Sequence, residues 1–126
     1  MIDRLGEPLA DPIFEELAII GVGLIGSSIA RAARRRHAAR RIVLADESIA
    51  VLERAKALGL GDLVTDDLAR AVSHADCVIL CAPVGANETI ARIIGPALQP
   101  VLQAERRRGA AGAAGAAYAI AQAARN

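Results

Sequence analysis

Three glycines and one carboxylate are the residues of this chain whose types and spacing could do chemistry. Leu17-Ala18-Ile19-Ile20 is a short apolar run, and Gly21-Val22-Gly23-Leu24-Ile25-Gly26 follows it directly with the spacing G-x-G-x-x-G. Each glycine has a separate physical use. Gly21 turns the chain sharply off a strand. Gly23, lacking a Cβ, lets a pyrophosphate approach the backbone. Gly26 lets a helix pack closely on the strand. The N–H groups at the start of that helix, around Leu24 and Ile25, have no partner within it and face the phosphates. Asp46 closes a second apolar run, Ile42-Val43-Leu44-Ala45, twenty residues beyond Gly26. That is the offset of the acid that accepts from the 2′- and 3′-hydroxyls of an adenosine ribose. Asp46 and Glu47 would repel a 2′-phosphate and no Arg follows them immediately, so NAD is favoured over NADP. Two plainer readings stay open. The glycines can make an ordinary strand-turn-helix, and Asp46 can cap the following helix, although Ser48 suits that cap equally well.

These residues need a parallel sheet to position them, and the rest of the sequence supplies its pattern. The first strand is expected over Phe14–Ile20 and the first helix over Leu24 to about Arg36. Leu24, Ile25, Ser28, Ile29 and Ala32 are expected to face the sheet. Arg34–Arg36 then sit at the helix C-terminus, where cations suit the dipole, and His37 lies in the loop beyond. The second strand is expected over Ile42–Asp46, and a second helix from Ser48 to about Leu58 is ended by Gly59. Leu63–Thr65 makes a short third strand, Asp66 or Asp67 starts a short helix through Val72, and His74 lies in a loop. The fourth strand runs from Asp76 to Cys81. Ala82-Pro83-Val84-Gly85 is a turn, and a helix from Ala86 to about Leu98 puts Ile90, Ile93, Ile94 and Leu98 on one face. Alternating strands and helices give parallel strands joined by right-handed crossovers. The fold class expected is therefore α/β, a doubly wound parallel sheet of Rossmann type. It is incomplete at about four strands and carries an Ala-, Gly- and Arg-rich C-terminal tail.

Composition is consistent with this. A chain of 126 residues suits one domain. Phe14 and Tyr118 are its only aromatic residues, so the core must be Ile, Val, Leu and Ala, as in a parallel sheet under Ala-rich helices. A formal charge of +1 offers no basic surplus for nucleic acid or a membrane surface. The start Met1-Ile2-Asp3-Arg4 shows no signal pattern and no apolar run reaches the ~20 residues that span a bilayer, so the cytoplasm is expected. Cys77 and Cys81 share one face of a strand, roughly 13 Å apart at ~3.3 Å per residue. That exceeds the ~7 Å limit for a disulfide, so both are expected to be small buried hydrophobes. No further Cys or His lies at ligand spacing, so no metal is expected.

The run Ile19–Ser28, then Asp46, then Cys81-Ala82-Pro83-Val84, together with Leu58-Gly59-Leu60 and Asp66-Asp67-Leu68, resembles the N-terminal half of prephenate and arogenate dehydrogenases. The resemblance covers about Phe14 to Pro100. It implies NAD(P)-dependent oxidative decarboxylation of prephenate or arogenate in tyrosine biosynthesis. Related NAD-linked oxidoreductases share the scaffold, and a non-catalytic nucleotide-binding fragment is the alternative from another class. Ligands of open parallel sheets bind outside the strands' carboxyl ends. Pro83 would fix the backbone there, and backbone groups of Cys81, Ala82 and Val84 would line the ribose and nicotinamide side; an ordinary strand-ending turn is the alternative.

After Pro100 the family pattern fails. The family continues with a fifth strand, an Asp-x-Gly-Ser-x-Lys segment, a catalytic His in a His-Pro context and a helical dimerisation domain. This chain instead reads Val101-Leu102-Gln103-Ala104-Glu105-Arg106-Arg107-Arg108, and then Gly-Ala-Ala repeats. Gly109, Gly112 and Gly115 each cost a helix about 1 kcal/mol relative to Ala. A shifted reading frame and a natural Ala-rich terminal helix both account for this tail. The division expected is a loose lead-in over 1–13, a dinucleotide-binding domain over 14–100 and an atypical tail over 101–126. No catalytic residue is assigned, since neither His37 nor His74 matches the family's histidine.

Overall fold

In the computed structural model, Gly6, residues 12–82 and residues 84–98 are described, with the side chains of Val84 and Asn87 left aside. Most of the lead-in, Pro83 and the tail expected over 101–126 lie outside the described residues. The elements are β1 (Phe14–Ile20), α1 (Leu24–Arg35), β2 (Ala39–Ala45), α2 (Ile49–Ala57), β3 (Leu63–Thr65), α3 (Leu68–Val72), β4 (Cys77–Leu80) and α4 (Asn87–Ile94). Short 3-10 turns at Val84–Ala86 and Gly95–Ala97 flank α4. All strand pairs are parallel and the sheet order is β3-β2-β1-β4. The first strand among the described residues is therefore an inner one, and the order reverses beside it.

The period of two along each strand divides the core. Ala18, Ile20, Val43, Val78 and Leu80 pack with Leu68, Val72, Ile90 and Ile94 on the face that carries α3 and α4. Leu17, Ile19, Ile42, Leu44, Cys77 and Ile79 pack with Ala30, Ala33, Ala55 and Leu60 on the face that carries α1 and α2. Both faces are covered, as parallel sheets require. The doubly wound Rossmann-type fold is thus present, with four strands among the described residues.

Of the five residues expected to face the sheet from α1, only Ile29 packs against the core. The buried residues of α1 are Gly26, Ala30 and Ala33, whereas Leu24 is 86% and Ile25 60% exposed, and Ser28 and Ala32 are exposed as well. Close approach to the sheet selects the smallest side chains, and this rotates the larger ones outward. In α4 the same correction removes Ile93, which is 46% exposed, and leaves Ile90, Ile94 and Leu98 buried. That helix also ends at Ile94, where Gly95 and Pro96 convert it to a 3-10 turn before Leu98.

Local chemistry sets the other boundaries. Ser48 Oγ accepts from Val51 N–H and caps α2, while Asp67 Oδ1 accepts from Arg70 N–H and caps α3. Gly59 ends α2 at φ +64°, and its N–H donates to Lys56 O while that of Leu60 donates to Ala55 O. The same pair of bonds ends α1, with His37 at φ +54° in the place a glycine usually takes.

Candidate functional site: a glycine turn at the carboxyl end of the sheet

The three glycines differ in what surrounds them. Gly21 stands at φ +94°, and a Cβ there would lie 2.6 Å from Ala82 N and 2.8 Å from the Cys81 carbonyl carbon. Its backbone conformation and the passage of β4's end both exclude a side chain. A Cβ on Gly26 would run into the carbonyl oxygen of Gly21 and come within 3.5 Å of Cys81 Cβ. Gly23, between them, would meet nothing within 4 Å. Two glycines are therefore needed for packing, while the third borders open space.

That space lies at the start of α1. Gly23 is the N-cap; it provides no side-chain cap bond, and the first turn of α1 carries no acidic residue. No acidic side chain of the helix itself offsets its positive end. The first N–H groups of the helix, including those of Leu24 and Ile25, have no intrahelical acceptor. Ser27 N–H donates to Gly23 O at 2.9 Å, and Ser27 Oγ donates to Val22 O at 3.3 Å, which fixes the turn from within the helix. Leu24 and Ile25 project their apolar side chains outward at the rim.

Asp46 follows the last residue of β2 and is half-buried. Its Oδ2 accepts from Val22 N–H at 2.8 Å, and its Oδ1 accepts from Ser48 N–H at 2.9 Å. It does not cap α2, since Ser48 fills that position. Each carboxylate oxygen has accepting capacity left for a further donor. A groove of about 390 Å³ between α1 and α2 begins at Val22 and Gly23 and continues past Ser27, Arg31, Val51 and Arg54.

Of the residues expected to form a site, Gly21, Gly26, Cys81 and Ala82 are brought into contact, and Asp46 is tied to the turn through Val22. Cys81 is half-buried rather than buried, and both cysteines are free thiols. Cys81 N–H donates to Ile20 O at 2.7 Å, holding the end of β4 against the end of β1. Burial raises the Cys81 thiol above its ordinary range. Val84 opens the 3-10 turn before α4, and Pro83 lies outside the described residues. The sequence did not indicate Val22 as the partner of Asp46, because a backbone donor carries no residue signature. Ser48 N–H was legible in principle, since Asp46-Glu47-Ser48 is the spacing at which an aspartate bonds the backbone two residues on.

The sequence model of the family described as prephenate dehydrogenase, nucleotide-binding domain, matches residues 29–103, more than half of the chain. The chain belongs to this family. The match begins within α1, downstream of the glycine turn, so the turn rests on its own geometry. A cyclohexadienyl dehydrogenase of Zymomonas mobilis is 49% identical over 87 residues, which cover 69% of this chain and 30% of that protein. The crystal structure of prephenate dehydrogenase from A. aeolicus, solved with hydroxyphenyl propionate and NAD+, superposes with a TM-score of 0.62 at 27% identity. Synechocystis arogenate dehydrogenase gives the same TM-score and identity, and each match covers 68% of this chain and 30% of the other. The chain therefore spans about a third of the length of these relatives, as a nucleotide-binding domain of the prephenate and arogenate dehydrogenase family.

Proposed function

We propose that this chain binds NAD at the turn Gly21–Gly26 as the nucleotide-binding part of a cytoplasmic prephenate or arogenate dehydrogenase. The observation that carries this reading is the contrast among the glycines. Gly21 and Gly26 have no room for a Cβ, whereas a Cβ on Gly23 would project into open space at the start of α1, whose first turn has no acidic residue of its own. A turn built only for packing needs no glycine at that position. The residues present fit the cofactor. The N–H groups at Leu24 and Ile25 would face the pyrophosphate, and Asp46 would accept from the adenosine ribose. The backbone of Cys81, Ala82 and Val84 would border the ribose and nicotinamide side. When bound, NAD would supply the acceptor for a hydride.

The chain's own residues bind and orient; none of them is assigned to proton transfer. Hydride transfer also needs a substrate held against the nicotinamide. In this reading the groups that hold it lie in the two thirds of the relatives' length that this chain does not span. Calorimetric titration tests the cofactor assignment. NAD should bind more tightly than NADP, and Asp46→Ala should narrow the gap by removing like charge from the 2′-phosphate. Equal affinities in the parent chain would count against Asp46. Purified chain given NAD with prephenate or arogenate should form no NADH. Turnover above background that disappears when the chain is cut after Pro100 would refute that expectation.

A further inference from the structure

Asp46 is engaged before any ligand arrives. The turn is attached to the end of β2 by two successive bonds. Gly21 N–H donates to Ala45 O at 2.8 Å, and Val22 N–H donates to Asp46 Oδ2 at 2.8 Å. The first is main-chain to main-chain and does not depend on the side chain of Asp46. The second is the only one of the two that depends on a side chain, and it holds the Gly21–Val22 peptide, one residue before Gly23. On the other side, Asp46 Oδ1 takes Ser48 N–H at 2.9 Å, and Ser48 in turn caps α2. One carboxylate thus spans the β1–α1 turn and the β2–α2 loop.

We propose that Asp46 is a positioning residue for the phosphate turn, in addition to accepting from the ribose. This rests on the dinucleotide reading above and extends it. A carboxylate offers about four accepting positions. Two are occupied by Val22 and Ser48, and the two that remain match the two hydroxyls of a ribose. The bonds are charge-assisted, which makes them stronger than their neutral counterparts. Asparagine is not a mild replacement here. Its single oxygen can serve Val22 or Ser48, and its NH2 group then opposes the other N–H. Cofactor discrimination and turn geometry are consequently coupled. Removing the acid to admit a 2′-phosphate also releases the turn that must hold the diphosphate.

The test separates the two roles with a ligand that cannot report one of them. ADP and 2′,3′-dideoxy-ADP are titrated into the full chain and into Asp46→Ala and Asp46→Asn. The dideoxy compound has no ribose hydroxyls, so a loss of its affinity on substitution comes through the backbone that Asp46 holds and not through lost ribose bonds. A weakening of about fivefold or more is expected with Asp46→Ala, and one of similar size with Asp46→Asn. Unchanged affinity for the dideoxy compound overturns the proposal. Amide hydrogen exchange of the ligand-free chains gives a second readout, independent of binding. Val22 should exchange at least about tenfold faster in Asp46→Ala, while Ile79 in the core keeps its protection. Unchanged protection at Val22, or an equal acceleration at Ile79, also overturns it. If the parent binds neither ADP nor NAD, the dinucleotide reading falls, and the exchange at Val22 still decides the role of Asp46.

Discussion

The two ends of the sheet use the same device for opposite purposes. At the amino end, Asp76 Oδ2 and Oδ1 accept from Glu15 and Glu16 N–H at 2.9 and 3.0 Å. Asp62 Oδ2 there accepts from Ile42 N–H at 2.8 Å. At the carboxyl end, Asp46 accepts from Val22 and Ser48. Each carboxylate holds backbone donors that no strand or helix satisfies. The difference lies in what surrounds them. The amino end is bordered by ion pairs, Arg34–Asp62, Arg40–Glu15 and Arg41–Glu16. The carboxyl end is bordered by glycines, and at Gly23 by open space. A carboxylate surrounded by side chains closes an edge, whereas one beside bare backbone keeps an opening in shape. The chemistry of an aspartate does not by itself separate the two cases.

The largest effect that tests this contrast is expected within the turn itself. Gly21→Ala and Gly26→Ala should each lower stability by about 3 kcal/mol or more, because the added Cβ meets backbone that cannot retreat. Gly23→Val should keep the fold with a modest loss and abolish NAD binding. Urea unfolding and calorimetric titration on the three variants check both statements. A Gly23→Val chain that binds normally would make the two ends equivalent in kind.

A smaller effect is expected at the amino end. Asp76→Ala should cost about 2 kcal/mol, since it removes two charge-assisted bonds to β1. It should leave dinucleotide affinity unchanged, in contrast to Asp46→Ala.

The smallest effect is a pH dependence at the same end. Burial, and next the charge of Asp76, push the Cys77 thiol up from 9.0 to about 11. The folded chain therefore holds that proton more tightly than the unfolded chain. Its contribution to stability is complete below pH 9 and is lost as pH rises through about 11. Unfolding curves across that window should fall by roughly 1–2 kcal/mol more in the parent than in Cys77→Ala.

Much of this was legible in the sequence because it depended on residue type and local spacing. β1 and β3 have the bounds that their apolar runs suggest, and Ser48, Gly59 and Asp67 do what caps and stops do. The misreadings have tertiary causes. β2 starts at Ala39 rather than Ile42, because Arg40 and Arg41 lie along β1 and pair with Glu15 and Glu16. No hydropathy pattern in one segment shows a partner in another. β4 loses Asp76 and Cys81 at its ends, since Asp76 turns its carboxylate onto β1. The face of α1 was misassigned because the larger residues set the apparent period, while Gly26, Ala30 and Ala33 made the contact. At the site, the spacing to Asp46 was readable, and its bond to Val22 was not.

The central place of β1 also bears on the order in which the fold can be completed during synthesis. This strand leaves the ribosome before the other three of its sheet, yet both its edges wait for partners made later. β2 arrives about 25 residues on, with Phe14 opposite Ala39. Glu16 meets Asp76 only across a separation of 60. Contacts that far apart in sequence close slowly. Until Leu80 has been made, Leu17–Ile20 carries one bare edge, and that interval is when a chaperone has most to protect.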